Sequence, residues 1–144
     1  MAGFSVKARH FARRAVLQAL YQWRFTGQPI DEIQAQFLAE DKAKTYDNNY
    51  FQALFQDISK RSDEIDSTFI PFLDREIESL TAIELITLRI GTYELHHRLD
   101  VPYRVVLNEA LELSKLFGAD EAYKYINGVL DKVAKIARQQ EIDG

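Results

Sequence analysis

The chain has 144 residues, 47% hydrophobic and 28% charged, which suits one globular domain or two small subdomains sharing a core. Cysteine is absent, which excludes disulfides, thiolate metal sites and cysteine nucleophiles and fits a reducing compartment. The formal net charge is −4, yet the first thirty residues hold five basic side chains and no acid before Asp31.

Apolar residues recur at helical spacing almost throughout, and no β-hairpin signal interrupts them. The first segment places Ala12, Ala15, Val16, Ala19, Leu20 and Trp23 on one stripe, predicting a helix from about Val6 to Phe25 that ends at Thr26-Gly27-Gln28-Pro29. Ile30, Ile33, Phe37 and Leu38 predict a second, shorter helix to Glu40, followed by a polar loop over 41–47. Tyr50, Phe51, Leu54, Phe55 and Ile58 mark a third helix. Ser62 with Asp63 and Glu64 reads as the capped, acid-rich start of a fourth, which carries Ile65, Phe69, Ile70 and Phe72 with Pro71 near its end.

Thr81 and Glu84 have capping-box spacing and open a strong fifth helix through Leu85, Leu88, Ile90 and Leu95. Asp100-Val101-Pro102 is a stop and restart, since proline is tolerated in a first helical turn. The next helix runs through Val105, Val106, Ala110, Leu113 and Leu116 to Gly118, expected as a left-handed C-terminal cap. Asp120 is expected to cap a last helix carrying Ala122, Ile126, Val129, Leu130, Val133 and Ile136. The reading is therefore all-α, about seven helices in one domain spanning 1–144.

The charge split is the strongest functional signal. Removing Lys7, Arg9, Arg13, Arg14 and Arg24 from the 18 Lys and Arg leaves 13 against 22 Asp and Glu, so residues 31–144 carry −9. A basic arm on an acidic body points to a polyanion. Arg9 and Arg13, four apart, share a helix face; His10, Arg14, Leu17 and Tyr21 run down the neighbouring one, and the alanine stripe faces inward, so that Arg9, Arg13 and Arg14 are expected on the outer face. Arginine forks suit phosphate oxygens, and aromatic rings beside them stack unpaired bases. Tyr21, Tyr123 and Tyr125 are the aromatic candidates, with Tyr125 falling off the buried stripe of its helix. Gly128 lies mid-helix, where another helix or a ligand backbone would have to come close to justify it.

Catalytic and metal readings find little support. His10, His96 and His97 show no zinc-protease pattern, and the six glycines form no phosphate loop. No pair of carboxylates is nominated as acid and base. No apolar stretch approaches the roughly 20 residues of a membrane span, and no apolar core follows the N-terminal charges as in a secretory signal. The expectation is a non-enzymatic, cytoplasmic protein without cofactor or metal.

Several segments, in order along nearly the whole chain, resemble the bacterial NusB family of transcription antitermination factors. They are Ala12-Arg13-Arg14-Ala15-Val16-Leu17-Gln18-Ala19-Leu20-Tyr21-Gln22-Trp23, Ile83-Glu84 with Leu88-Arg89-Ile90-Gly91-Thr92-Tyr93-Glu94-Leu95, Val101-Pro102-Tyr103 with 108–118, and Lys124-Tyr125-Ile126-Asn127-Gly128-Val129-Leu130-Asp131-Lys132. Between Pro29 and Leu73 only the pattern is similar.

The resemblance implies two packed three-helix subdomains and no enzymatic activity. It implies binding to single-stranded boxA-type RNA of ribosomal RNA leader transcripts, jointly with NusE, a small-subunit ribosomal protein, and assembly of an antitermination complex on RNA polymerase. By position, Lys7, Arg9, His10, Arg13, Arg14 and Gln18 fall on the RNA arm, Glu121, Lys124 and Tyr125 on RNA-proximal positions of the last helix, and Tyr21 and Glu84 on the partner surface. The arginine cluster departs from the family's denser one, with His10 and Phe11 between its members, and Tyr125 adds a hydroxyl to the final-helix aromatic. Monomer and homodimer both remain open.

Overall fold

The computed structural model describes residues 6–144, and every regular element among them is helical. The chain divides into two compact units, 6–60 and 61–144, and only Arg61 separates the last helix of the first from the first helix of the second.

The first unit holds α1 (Val6–Thr26), α2 (Ile30–Leu38) and α3 (Asn48–Lys60). Ala12, Ala15 and Ala19 are buried along α1, and their small side chains let α2 and α3 pack closely on it. Phe37, Phe51 and Phe55 stack in series beneath them with centroids 5.8 Å apart at each step. The segment expected as a loop is instead a short 3-10 helix, Asp41–Thr45. Its cause is burial: Ala43 and Tyr46 are apolar anchors at 3% and 8% exposure in an otherwise polar stretch. Asp47 then accepts a hydrogen bond from the Tyr50 N–H (2.9 Å), and so caps α3 two residues earlier than the apolar pattern suggested.

The second unit contains α4 (Ser62–Phe69), α5 (Ala82–His97), α6 (Tyr103–Phe117), α7 (Ala122–Ala137) and α8 (Gln139–Asp143). Helices α5, α6 and α7 pack against one another, and α4 lies on α5 and α7. Ten of the sixteen α5 residues are buried, so this helix is covered on nearly all sides. Arg89 on α5 grips Asp66 on α4 through two parallel bonds of 2.8 and 2.7 Å. The capping box at Thr81 and Glu84 is formed in full. At the far end of α5, the buried Arg138 guanidinium donates to the carbonyls of Glu94, Leu95, Arg98 and Val101. The Leu95 and Val101 carbonyls thereby gain a donor, and those of Glu94 and Arg98 gain a second one beside the Arg98 and Val101 N–H groups.

Several local expectations are corrected. Ser62 is the first helical residue rather than the cap, which falls on Arg61 without a side-chain bond. The α-helix of α4 ends at Phe69 and a 3-10 turn carries Ile70–Phe72, because Pro71 has no N–H to continue the ladder. Gly118 is extended (φ −94°, ψ 178°), not left-handed. Glycine is needed there because a Cβ would meet the Ser114 carbonyl oxygen at 2.7 Å. Asp120 does not cap α7: that position belongs to Glu121, whose φ of 69° makes the sharp turn into the helix. Leu116 and Ile136, expected on the apolar stripes of α6 and α7, are exposed at the last turn of each helix, past the reach of the core. The eighth helix lies beyond the last apolar stripe.

Candidate nucleic-acid interface

The candidate residues lie in both units, and each group has its own geometry. In the first unit they ride on α1. Lys7 is exposed, and Arg9, His10 and Arg14 are half-buried. Phe11, which reads in the sequence as a break in the basic cluster, is where the charges gather. The Lys7 ammonium and Arg14 guanidinium lie 5.9 and 5.3 Å from its ring centroid, and the His10 ring meets it edge-on at 5.5 Å. Phe11 belongs to the candidate site, and a signal for it existed: an aromatic residue with cations three and four positions away on a helix.

Arg9 and Arg13 do share a face, as their spacing predicts, but that face meets α3. Arg9 sits 4.2 Å over the Tyr50 ring and pairs with Asp47 at 3.6 Å. Arg13 lies 5.2 Å from the same ring, donates to the Tyr50 hydroxyl at 3.4 Å and is only 2% exposed. The expectation that Arg13 stands on the outer face is therefore corrected. Tyr50 supplies an aromatic face and a hydroxyl acceptor, which lower the cost of burying the guanidinium. Further along α1, Gln18 and Tyr21 are exposed; with Gln22, Gln36, Phe37, Glu40 and Lys42 they line a shallow groove. Tyr21 packs against Phe25 with centroids 4.6 Å apart and rings tilted by 41°, so two aromatic rings stand in solvent together.

In the second unit the candidates surround the start of α7. Glu121 and Lys124 form an exposed ion pair at 2.8 Å. Tyr125 is held from a segment outside the helix: its hydroxyl accepts the Asp74 backbone N–H at 3.4 Å. The Arg75 guanidinium lies 3.9 Å over the Tyr125 ring and bonds Asp74 through Nε at 2.8 Å. The Arg75 bond is the main reason the Asp74 carboxyl is held below its ordinary range, and the same bond keeps Arg75 firmly protonated. Burial pushes the Tyr125 phenol up, so it stays neutral. Asp74 and Arg75 carry no sequence signal, being two charges in a polar turn 51 and 50 residues before their partner. Glu84 is half-buried and commits one carboxylate oxygen to the Thr81 N–H at 2.8 Å. Gly128, one turn beyond Tyr125, is exposed with nothing within 4 Å of a Cβ built on it, so no helix packing explains it.

Among the described residues no group of three or more His, Asp or Glu side chains is arranged to hold a metal ion, and no helix is long and apolar enough to cross a membrane. His96 and His97 are engaged separately, the first 3.1 Å from the Thr92 carbonyl oxygen and the second stacked on Tyr93 at 4.9 Å.

A helical fold with cations and aromatic rings clustered on its surface helices defines the class as a helical binding module. Solved structures share the fold, two of them over nearly the whole chain. Thermotoga maritima NusB superposes with a TM-score of 0.82 at 28% identity, covering 94% of this chain and 97% of that one. A crystal structure of the antitermination factors NusB and NusE in complex with double-stranded RNA gives 0.77 at 26% identity, covering 92% and 99%. The NusB family model matches residues 10–135, and the chain belongs to the NusB family. Among its relatives, the transcription antitermination protein NusB of Alcanivorax borkumensis is 47% identical over 93% of this chain and 89% of its own length. That of Pasteurella multocida is 46% identical over 91% of each.

Proposed function

We propose that this protein is a non-enzymatic, cytoplasmic RNA-binding adaptor of transcription antitermination. It binds boxA-type single-stranded RNA of ribosomal RNA leader transcripts together with NusE, and helps to assemble an antitermination complex on RNA polymerase. The observation that carries this reading is the start of α1, where Lys7, His10 and Arg14 surround Phe11 with no acid before Asp31. Relatives named for transcription antitermination, and a structural neighbour solved with NusE and RNA, point the same way.

In this reading Lys7 and Arg14 attract phosphates, Arg9 and His10 flank them, and Arg13 acts from within by holding Tyr50 under Arg9. Gln18 extends the same face of α1. Glu121, Lys124 and Tyr125 form a second contact region, with the tyrosine stacking on an unpaired base. Tyr21 and the remaining carboxylate oxygen of Glu84 are assigned to NusE. The neighbour's RNA is double-stranded, whereas a ring that stacks bases favours unpaired ones. The RNA forms must therefore be compared directly.

The test is a titration of boxA-like RNA, a scrambled strand and a duplex, with and without purified NusE. The boxA strand should bind best, more tightly with NusE. Replacing Lys7 and Arg14 by alanine should weaken binding and flatten its salt dependence by about 0.7 per lost phosphate contact. An unchanged salt slope, or equal binding of all three RNAs in both conditions, would sink the assignment and favour a purely protein-binding scaffold.

A further inference from the structure

The turn that precedes α5 holds the least explained charge cluster in the second unit. Arg75 is 44% exposed at its side chain, yet it is not a freely moving surface arginine. Its plane is fixed on one side by the Tyr125 ring at 3.9 Å and at its root by the Asp74 carboxylate, which takes the Nε proton at 2.8 Å. Tyr125 is in turn pinned at its hydroxyl by the Asp74 N–H. Among the described residues the guanidinium makes no other hydrogen bond, so its two terminal nitrogens present an oriented pair of donors to solvent.

An oriented donor pair fits a planar pair of acceptors. In RNA these are a phosphate or the O6/N7 edge of guanine. The local charge chooses between them. Asp74 sits against Arg75 and offsets its positive charge, and the Glu84 carboxylate adds negative potential at the same group. That field discourages a second anion and leaves a neutral base edge as the better acceptor. Gly128, one turn along α7 from Tyr125, has open space where a side chain would stand.

We propose that Arg75, stacked on Tyr125 and oriented by Asp74, reads an unpaired guanine through its O6 and N7 atoms. This deepens the RNA-binding function proposed above and rests on it. The residue confers base specificity where Lys7 and Arg14 confer only attraction.

The experiment uses the full chain and boxA-like RNA in which each guanine in turn is replaced by 7-deazaguanine, which lacks N7. Wild-type protein should lose affinity about five- to tenfold at one guanine position and at no other. Arg75→Lys keeps the charge but not the fork. It should bind unmodified RNA about five- to tenfold more weakly and be insensitive to 7-deazaguanine at that position, the signature of a shared contact. Asp74→Asn should retain stability and lose part of the discrimination.

If the wild type binds RNA and Arg75→Lys binds it equally well, the inference falls while the RNA-binding reading stands. If Arg75→Lys flattens the salt slope and no guanine position matters, the contact is to a phosphate and the base assignment is overturned. If only NusE binding suffers, the surface is a protein interface and the inference again falls. Wild-type protein that binds none of these RNAs overturns both.

Discussion

Two glycines inside helices of the second unit show how one residue type answers opposite demands. A Cβ on Gly91 would come within 2.6 Å of the Leu130 side chain, which is fully buried where α5 meets α7. A Cβ on Gly128 would touch nothing. Alanine favours a helix over glycine by about 1 kcal/mol, so Gly128→Ala should raise stability by about that amount. At Gly91 the same gain is opposed by an overpacking cost of about 1–3 kcal/mol, because Leu130 has no solvent side to retreat to. Gly91→Ala should therefore be destabilising, and paired denaturant titrations of the two variants should shift in opposite directions. Arg13 teaches a related lesson. Its charge argued for solvent, but burial depends on what the neighbouring helix offers, and α3 offers Tyr50.

At the scale of elements, α5 is held by different devices at its two ends. Its N-terminus uses local chemistry, the reciprocal bonds between Thr81 and Glu84 over 3.1 and 2.8 Å. Its C-terminus uses a residue 41 positions past its last residue, Arg138, which also pairs with Glu141 at 2.7 Å. Removing Thr81's hydroxyl with alanine should cost about 1 kcal/mol. Arg138→Ala removes the donor from the buried Leu95 and Val101 carbonyls and leaves Glu141 without its ion-pair partner, and should cost about 3–5 kcal/mol, measured as loss of unfolding free energy. Equal losses for the two variants would refute the hub role. The capping box was legible because its two residues lie three apart. The Arg138 hub was not, since no pattern in 138–144 announces that a guanidinium will reach the end of α5.

For the whole molecule, the open question is whether the units at 6–60 and 61–144 behave as one domain. The single intervening residue gives no linker in which independent domains ordinarily separate. The reading of 1–144 as one domain predicts a single calorimetric transition with equal calorimetric and van't Hoff enthalpies. Two resolved transitions would make each unit a domain of its own.

What the chain's order of residues determined alone was everything carried by short-range periodicity: the all-helical class, most helix positions, the capping box at Thr81, and the acid-free basic start. Helical spacing and cap chemistry act over three or four residues, so they are visible in a string of letters. The NusB resemblance was legible for the same reason, its motifs being contiguous. Only the tertiary structure decided that Arg13 turns inward onto Tyr50 and that Asp74 and Arg75 join Tyr125. Those contacts link residues tens of positions apart, or depend on which face of a helix is already covered. Neither is set by local propensity; both follow from which surfaces the packed helices leave open.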